Sequence, residues 1–177
     1  IHWEPTVSRV FGVIPQLVTG EGVAQCQSEI CTLLSSADPD WIKEHASYLG
    51  GHALRAVRSI DIKSDFFFSL ARDEALIDLA SRFAKKRVTP LYVQFFDNPP
   101  GAKRSIPAHQ YHAVYADHVT NPLGVKLWIA LDDVGTENGC ICVSKSEQRD
   151  LLVHILVEST EFESRLRETS ELTFVSV

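Results

Sequence analysis

Apolar residues recur at helical spacing along the first half of the chain and by alternation along the second. Val23, Cys26, Ile30, Leu33 and Leu34 fall three, four and one residues apart, which predicts a helix over about 21–35 capped by Thr19. Leu76, Ile77, Leu79, Ala80 and Phe83 repeat that spacing and predict a second helix over 73–86. Asp73 and Glu74 suit its positive amino end, Lys85 and Lys86 its negative carboxyl end, and Thr89-Pro90 stops it. Between the two, Asp38-Pro39-Asp40 and Gly50-Gly51 read as loops, with a helical turn over 41–49. The apolar run 10–18 reads as an edge strand or an extended arm.

From residue 91 the pattern changes. LYVQFF over 91–96 is β-branched and aromatic, a strand, and the loop Asn98-Pro99-Pro100-Gly101 follows it. A turn at Asn121-Pro122-Leu123-Gly124 leads into strict alternation. Val125, Leu127, Ile129 and Leu131 share one face; Lys126, Trp128, Ala130 and Asp132 share the other. Glu137-Asn138-Gly139 supplies turn chemistry before a strand at 140–143. The remainder reads as a loop and short helix over 147–157, a charged helical or exposed stretch over 158–171, and a closing strand over 172–177. Helices first and strands afterwards predict an α+β, mainly β fold. The expectation is one domain over 1–177, with helical support at 19–90 and the strands of a two-sheet barrel at 91–177.

Composition narrows the function. With 177 residues, 45% hydrophobic and 23% charged, the chain suits one ordinary globular core. A net charge of −6 and a single basic run, Lys85-Lys86-Arg87, leave no stripe to neutralise phosphates, so nucleic acid is not an expected partner. No apolar segment reaches the length of a membrane span and the amino terminus has no signal-peptide pattern, so a cytoplasmic protein without a membrane partner is expected. Cys26, Cys31, Cys140 and Cys142 do not make a disulfide framework, and packed, reduced thiols are the expectation over a zinc pair.

The candidate chemistry lies between residues 107 and 139. His109-Gln110, then Trp128-Ile129-Ala130-Leu131-Asp132-Asp133, then Glu137-Asn138-Gly139-Cys140, then Val143 to Ser146 occur in the order and spacing of a known set of motifs. In these the chain resembles the phytanoyl-CoA dioxygenase family of non-haem iron, 2-oxoglutarate-dependent oxygenases, over about residues 11–154. The resemblance implies a double-stranded β-helix, or jelly roll, in which ferrous iron is held by two histidines and a carboxylate with open positions for co-substrate and oxygen. It implies His109 as the first metal ligand. Tyr111 stands at the carboxylate's place, two residues on, where a phenol with a pKa of about 10 is a poor anionic ligand. Asp117 is the nearby carboxylate that reaches the metal if the strand bulges; His112 faces away in a regular strand, and His118 has no support from spacing.

No distal histidine followed by arginine reads out of the carboxyl-terminal region. His154 corresponds to the histidine after the family's Gly-Ser-His-like segment, and Arg165 or Arg167 is the candidate anion partner there. Gln94 and Trp128 match positions lining the co-substrate pocket, and Asn98 stands where the family often has lysine, with Lys103 as a compensating charge. The implied cofactors are Fe(II) and 2-oxoglutarate, and the implied activity is hydroxylation of a small organic molecule, acidic or acyl-linked. Tyr111 and the unmatched distal pair motivate the alternative, an inactive relative that keeps the pocket as a small-molecule binding module. A cupin-like interaction domain accounts for less, because it gives Gln94, His109 and Trp128 no common role.

Overall fold

The computed structural model describes residues 11–49, 52–98, 107–110, 124–145, 152–156, 164–167, 169 and 172–176. The chain divides into two compact units, residues 18–102 with 123–131, and residues 1–17, 103–122 and 132–177. Each is described by itself.

The first unit begins with α1 (Gly20–Ser36), whose amino end is closed by the Thr19 hydroxyl accepting from the Gly22 amide at 3.1 Å. Cys26, Ile30 and Leu33 are its buried residues, the centre of the predicted stripe. The expected loop at 38–40 is instead the start of a helix, α2 (Pro39–His45). Asp38 caps it by accepting from Asp40 and Trp41, and Pro39 fits the first turn, where no amide partner is needed. The helical turn expected to reach residue 49 ends at His45, and Ala46–Leu49 form β1. It pairs antiparallel with β2 (Ala53–Arg58), a strand that the sequence reading passed over. β2 pairs in turn with β3 (Gln94–Phe96), giving sheet order β1-β2-β3.

A further helix stands ahead of the one predicted over 73–86. α3 (Asp65–Ala71) is capped by Ser64, and α4 (Glu74–Ala84) is capped by Asp73, whose carboxylate accepts from Ala75 and Leu76. Lys85 closes α4 in the left-handed conformation, φ 54°. The core joins Cys26, Ile30, Leu33, Trp41, Val57, Ile60 and Phe67, with Phe95 and Leu131 packed on its border. Helix and sheet faces thus share one apolar interior, in which Val57 and Ile60 are completely enclosed.

The stretch 124–130 departs from expectation: it forms no ladder, and Val125, Leu127 and Trp128 remain exposed. Its end is fixed to the core, where Leu131 packs and its carbonyl accepts from the Gln27 side chain at 2.6 Å. Alternation specifies a strand only when a neighbouring edge takes up the backbone groups, and among the described residues no ladder does so.

In the second unit, β4 (Cys142–Ser144) pairs with β7 (Phe174–Ser176), and β5 (His154–Leu156) pairs with β6 (Ser164–Leu166), both antiparallel. β4 and β7 answer the strands expected at 140–143 and 172–177. β5 and β6 replace the short helix and the helical or exposed stretch, a correction that local charge pattern could not supply because pairing is between distant segments. The turn before β4 is built as predicted: Asn138 accepts from the Gly135 amide through Oδ1 and donates to the Asp133 carbonyl, and Gly139 takes φ 94°. Residues 11–18 contain no strand; 15–16 are a turn. The architecture is mixed helix and strand with three small antiparallel sheets, and the described residues contain no closed barrel. Among them, no helix is long and apolar enough to cross a membrane.

Candidate functional site

His109 lies half-buried in the segment 107–110, on an irregular stretch tied down on both sides. The Ala108 carbonyl accepts from the Leu166 amide at 2.8 Å, alongside β6, and Gln110 Oε1 accepts from the Leu152 amide at 2.7 Å, just before β5. The β5–β6 ribbon therefore fixes both neighbours of the imidazole. The ring has its own constraint, because Nδ1 lies 2.8 Å from the Pro107 carbonyl oxygen. A carbonyl oxygen only accepts, so Nδ1 carries the proton and the neutral ring has its lone pair on Nε2. Metal-binding histidines are held in this way, one ring nitrogen donating to a backbone oxygen while the other ligates.

His109 accordingly fits ferrous iron as one ligand. The other positions raised by the sequence, Asp117, Tyr111, His112 and His118, lie outside the described residues. Among the described residues, no three His, Cys, Asp or Glu side chains gather into a metal cluster. His154 is a strand residue of β5, in register with Leu166.

Gln94 and Trp128 belong to the other unit, and its sheet brings their surroundings together. Gln94 and Phe96 share a face of β3, as alternate strand residues do, while Phe95 between them packs toward the core. The Trp128 ring stacks on Phe96 with centroids 5.1 Å apart and planes 27° from parallel. Lys126 Nζ sits 5.0 Å from the Trp128 centroid and 5.4 Å from that of Phe96. Loss of water around the amine lowers the Lys126 pKa to about 8. Lys126 is nonetheless exposed, and its solvent contact and the negative ring faces both favour the charged form and oppose that shift.

Two residues that sequence reasoning missed hold β3 in place. Asp61, buried at 7% exposure, accepts from the Val93 amide at 2.8 Å and sets the entry to the strand. Arg55, equally buried on β2, donates through Nη1 to the Asp97 carbonyl at 3.0 Å and to Asn98 Oδ1 at 2.7 Å, setting the exit. Asn98, expected at the co-substrate, thus has its carbonyl oxygen engaged by Arg55. The signal for Arg55 was a lone basic residue inside the apolar run of 53–57, since charged residues are rarely buried unless paired.

The cysteines are free thiols. Cys26 is the packed one, and burial pushes its pKa up; Cys31 is exposed, and Cys140 is half-buried with Cys142 exposed, which corrects the expectation that this last pair are packed core thiols. Compared with known proteins, the chain matches no curated protein and no solved structure. The model of the phytanoyl-CoA dioxygenase (PhyH) family, however, matches residues 11–164, most of the chain and all the segments from α1 to the start of β6. With His109-Gln110, Trp128 and the Glu137-Asn138-Gly139 turn lying inside that match, the chain belongs to the phytanoyl-CoA dioxygenase family.

Proposed function

We propose that the protein is a non-haem oxygenase that hydroxylates a small organic acid or acyl compound, with His109 as one ligand of ferrous iron. Family membership supports an oxygenase of the iron and 2-oxoglutarate type. The observation that carries the assignment to this chain is the imidazole of His109, half-buried, proton on Nδ1, and fastened through both neighbouring residues. Bound iron with 2-oxoglutarate supplies the oxidising power for hydroxylation. The chain's own part is positioning: the Pro107 carbonyl selects the tautomer, Gln110 and Ala108 hold the backbone, and Nε2 presents the electron pair. Asp117 takes the carboxylate's role in this proposal, since Tyr111 is neutral at pH 7. Gln94 and Trp128 serve the co-substrate, with the Asn98 amide nitrogen as a further donor. The proposal includes the jelly-roll arrangement of a single domain, a small-molecule partner in place of nucleic acid or membrane, and a cytoplasmic setting.

The test is incubation of the purified chain with Fe(II) and 2-oxoglutarate, measuring succinate and bound metal. Succinate above background and metal uptake lost in His109→Ala support the reading; neither succinate nor uptake overturns it. Tyr111 favours a second reading, a relative that binds small molecules without turning them over. Restoration of succinate formation by Tyr111→Asp in an inactive native chain identifies the loss of a single ligand; uptake of 2-oxoglutarate with no turnover in either form identifies the binding module.

A further inference from the structure

Two thiols stand outside the apolar interior with a single residue between them. Cys140 is half-buried where the chain leaves the Glu137-Asn138-Gly139 turn, and Cys142 is exposed at the start of β4. Both are free, and neither belongs to the buried cluster that takes in Cys26. The chain is fixed on either side of Ile141. The Cys140 amide donates to the Gly135 carbonyl at 3.0 Å, and Cys142 is in register with Ser176 of β7. The Ser176 hydroxyl lies 3.8 Å from Cys142 Sγ, close enough to donate to the sulfur as it gains negative charge. Alternate residues of an extended chain project to one face, so the two thiols are presented together. At strand rise their Cα atoms are roughly 6.6–6.8 Å apart, the long end of the span of about 4.4–6.8 Å that a disulfide bridges. A bond closed there is under strain, and a strained, accessible disulfide is readily reduced again.

We propose that Cys140 and Cys142 form a reversible redox site, a dithiol that closes to a disulfide by exchange with a small disulfide such as oxidised glutathione. The exposed Cys142 thiolate attacks one sulfur of the small disulfide, which leaves a mixed disulfide on Cys142 and releases one small thiol. Cys140 then attacks the Cys142 sulfur, and the second small thiol departs. The protein pair gives up two electrons and two protons, and one small disulfide becomes two thiols. The short tether favours Cys140 over an outside thiol in the second step, since it holds the attacking sulfur at an effective concentration on the order of millimolar or above. This site is independent of the oxygenase reading, because its chemistry needs neither iron nor turnover.

The experiment equilibrates the full native chain with oxidised and reduced glutathione at neutral pH, blocks the remaining thiols with iodoacetamide, and weighs the tryptic peptides. Cleavage after Lys126 and Lys145 places both cysteines in the peptide 127–145, away from Cys26 and Cys31. The native peptide is expected to have lost two hydrogens, to carry neither glutathione nor an alkyl group, and to return to the dithiol with excess reduced glutathione. In Cys140→Ser the exchange stops at the first step, so glutathione is expected on Cys142 at about tenfold or more the native level. Circular dichroism checks the fold of that variant, and the native peptide alone decides the question if the variant is unfolded. Both native thiols still open to alkylation, or glutathione held on Cys142 equally in native chain and variant, overturns the proposal. So does a disulfide joining two chains through Cys142, or a bond that excess reduced glutathione leaves intact.

Discussion

Individual side chains in this protein differ from their free counterparts in ways that can be read directly. Lys126 has its pKa lowered from 10.5 to about 8 by loss of water. Because the folded value lies below the unfolded one, the unfolded chain binds more protons between those values, and this group's contribution to stability rises with pH through that window. The expected observation is a Lys126 Cε resonance titrating near pH 8. A Lys126 midpoint at the ordinary 10.5 refutes the environment described. At the thiols, burial and a raised pKa make Cys26 the slowest to react. Iodoacetamide at neutral pH should label Cys31 and Cys142 on the order of tenfold or more ahead of Cys26, as mass spectrometry of the peptides will tell.

Elements show where sequence and structure part. α1 and α4 were legible because cap and stripe agree at each: Thr19 with Cys26, Ile30 and Leu33, Asp73 with the apolar repeat up to Phe83. Thr19→Ala should cost about 1 kcal/mol in chemical denaturation, the usual value of an N-cap. The strands were harder. β2 was missed since Arg55 interrupts its apolar run, and the partners that make Arg55 tolerable, Asp97 and Asn98, come more than forty residues later. β5 and β6 are short pairings of separated segments, with no periodicity of their own to display. Conversely, the alternation of 125–131 promised a strand that no edge among the described residues completes. At the candidate site, His109 was legible as a motif residue, whereas its tautomer and the roles of Gln110, Asp61 and Arg55 depend on backbone atoms that only folding brings near. Asp61→Ala leaves the half-buried Val93 amide without its acceptor, and we expect a loss of about 1–3 kcal/mol with an unsettled β3. Native-like stability in that variant would contradict the role assigned to Asp61.

On the scale of the molecule, the unit built on α1 to α4 and the β1-β2-β3 sheet has its interior around Val57 and Ile60. Removing the Ile60 side chain down to alanine should cost about 2–5 kcal/mol, since the void left in a packed interior cannot fully collapse. A calorimetric melting curve that barely moves would place the core elsewhere. In the other unit, the hydrogen bond from Leu152 to Gln110 spans a separation of 42 residues, and the one from Leu166 to Ala108 reaches further still. Order of synthesis then matters. A ribosome has made and released His109 well before either clasp exists, so the imidazole gains its fixed pose only as the closing stretch emerges.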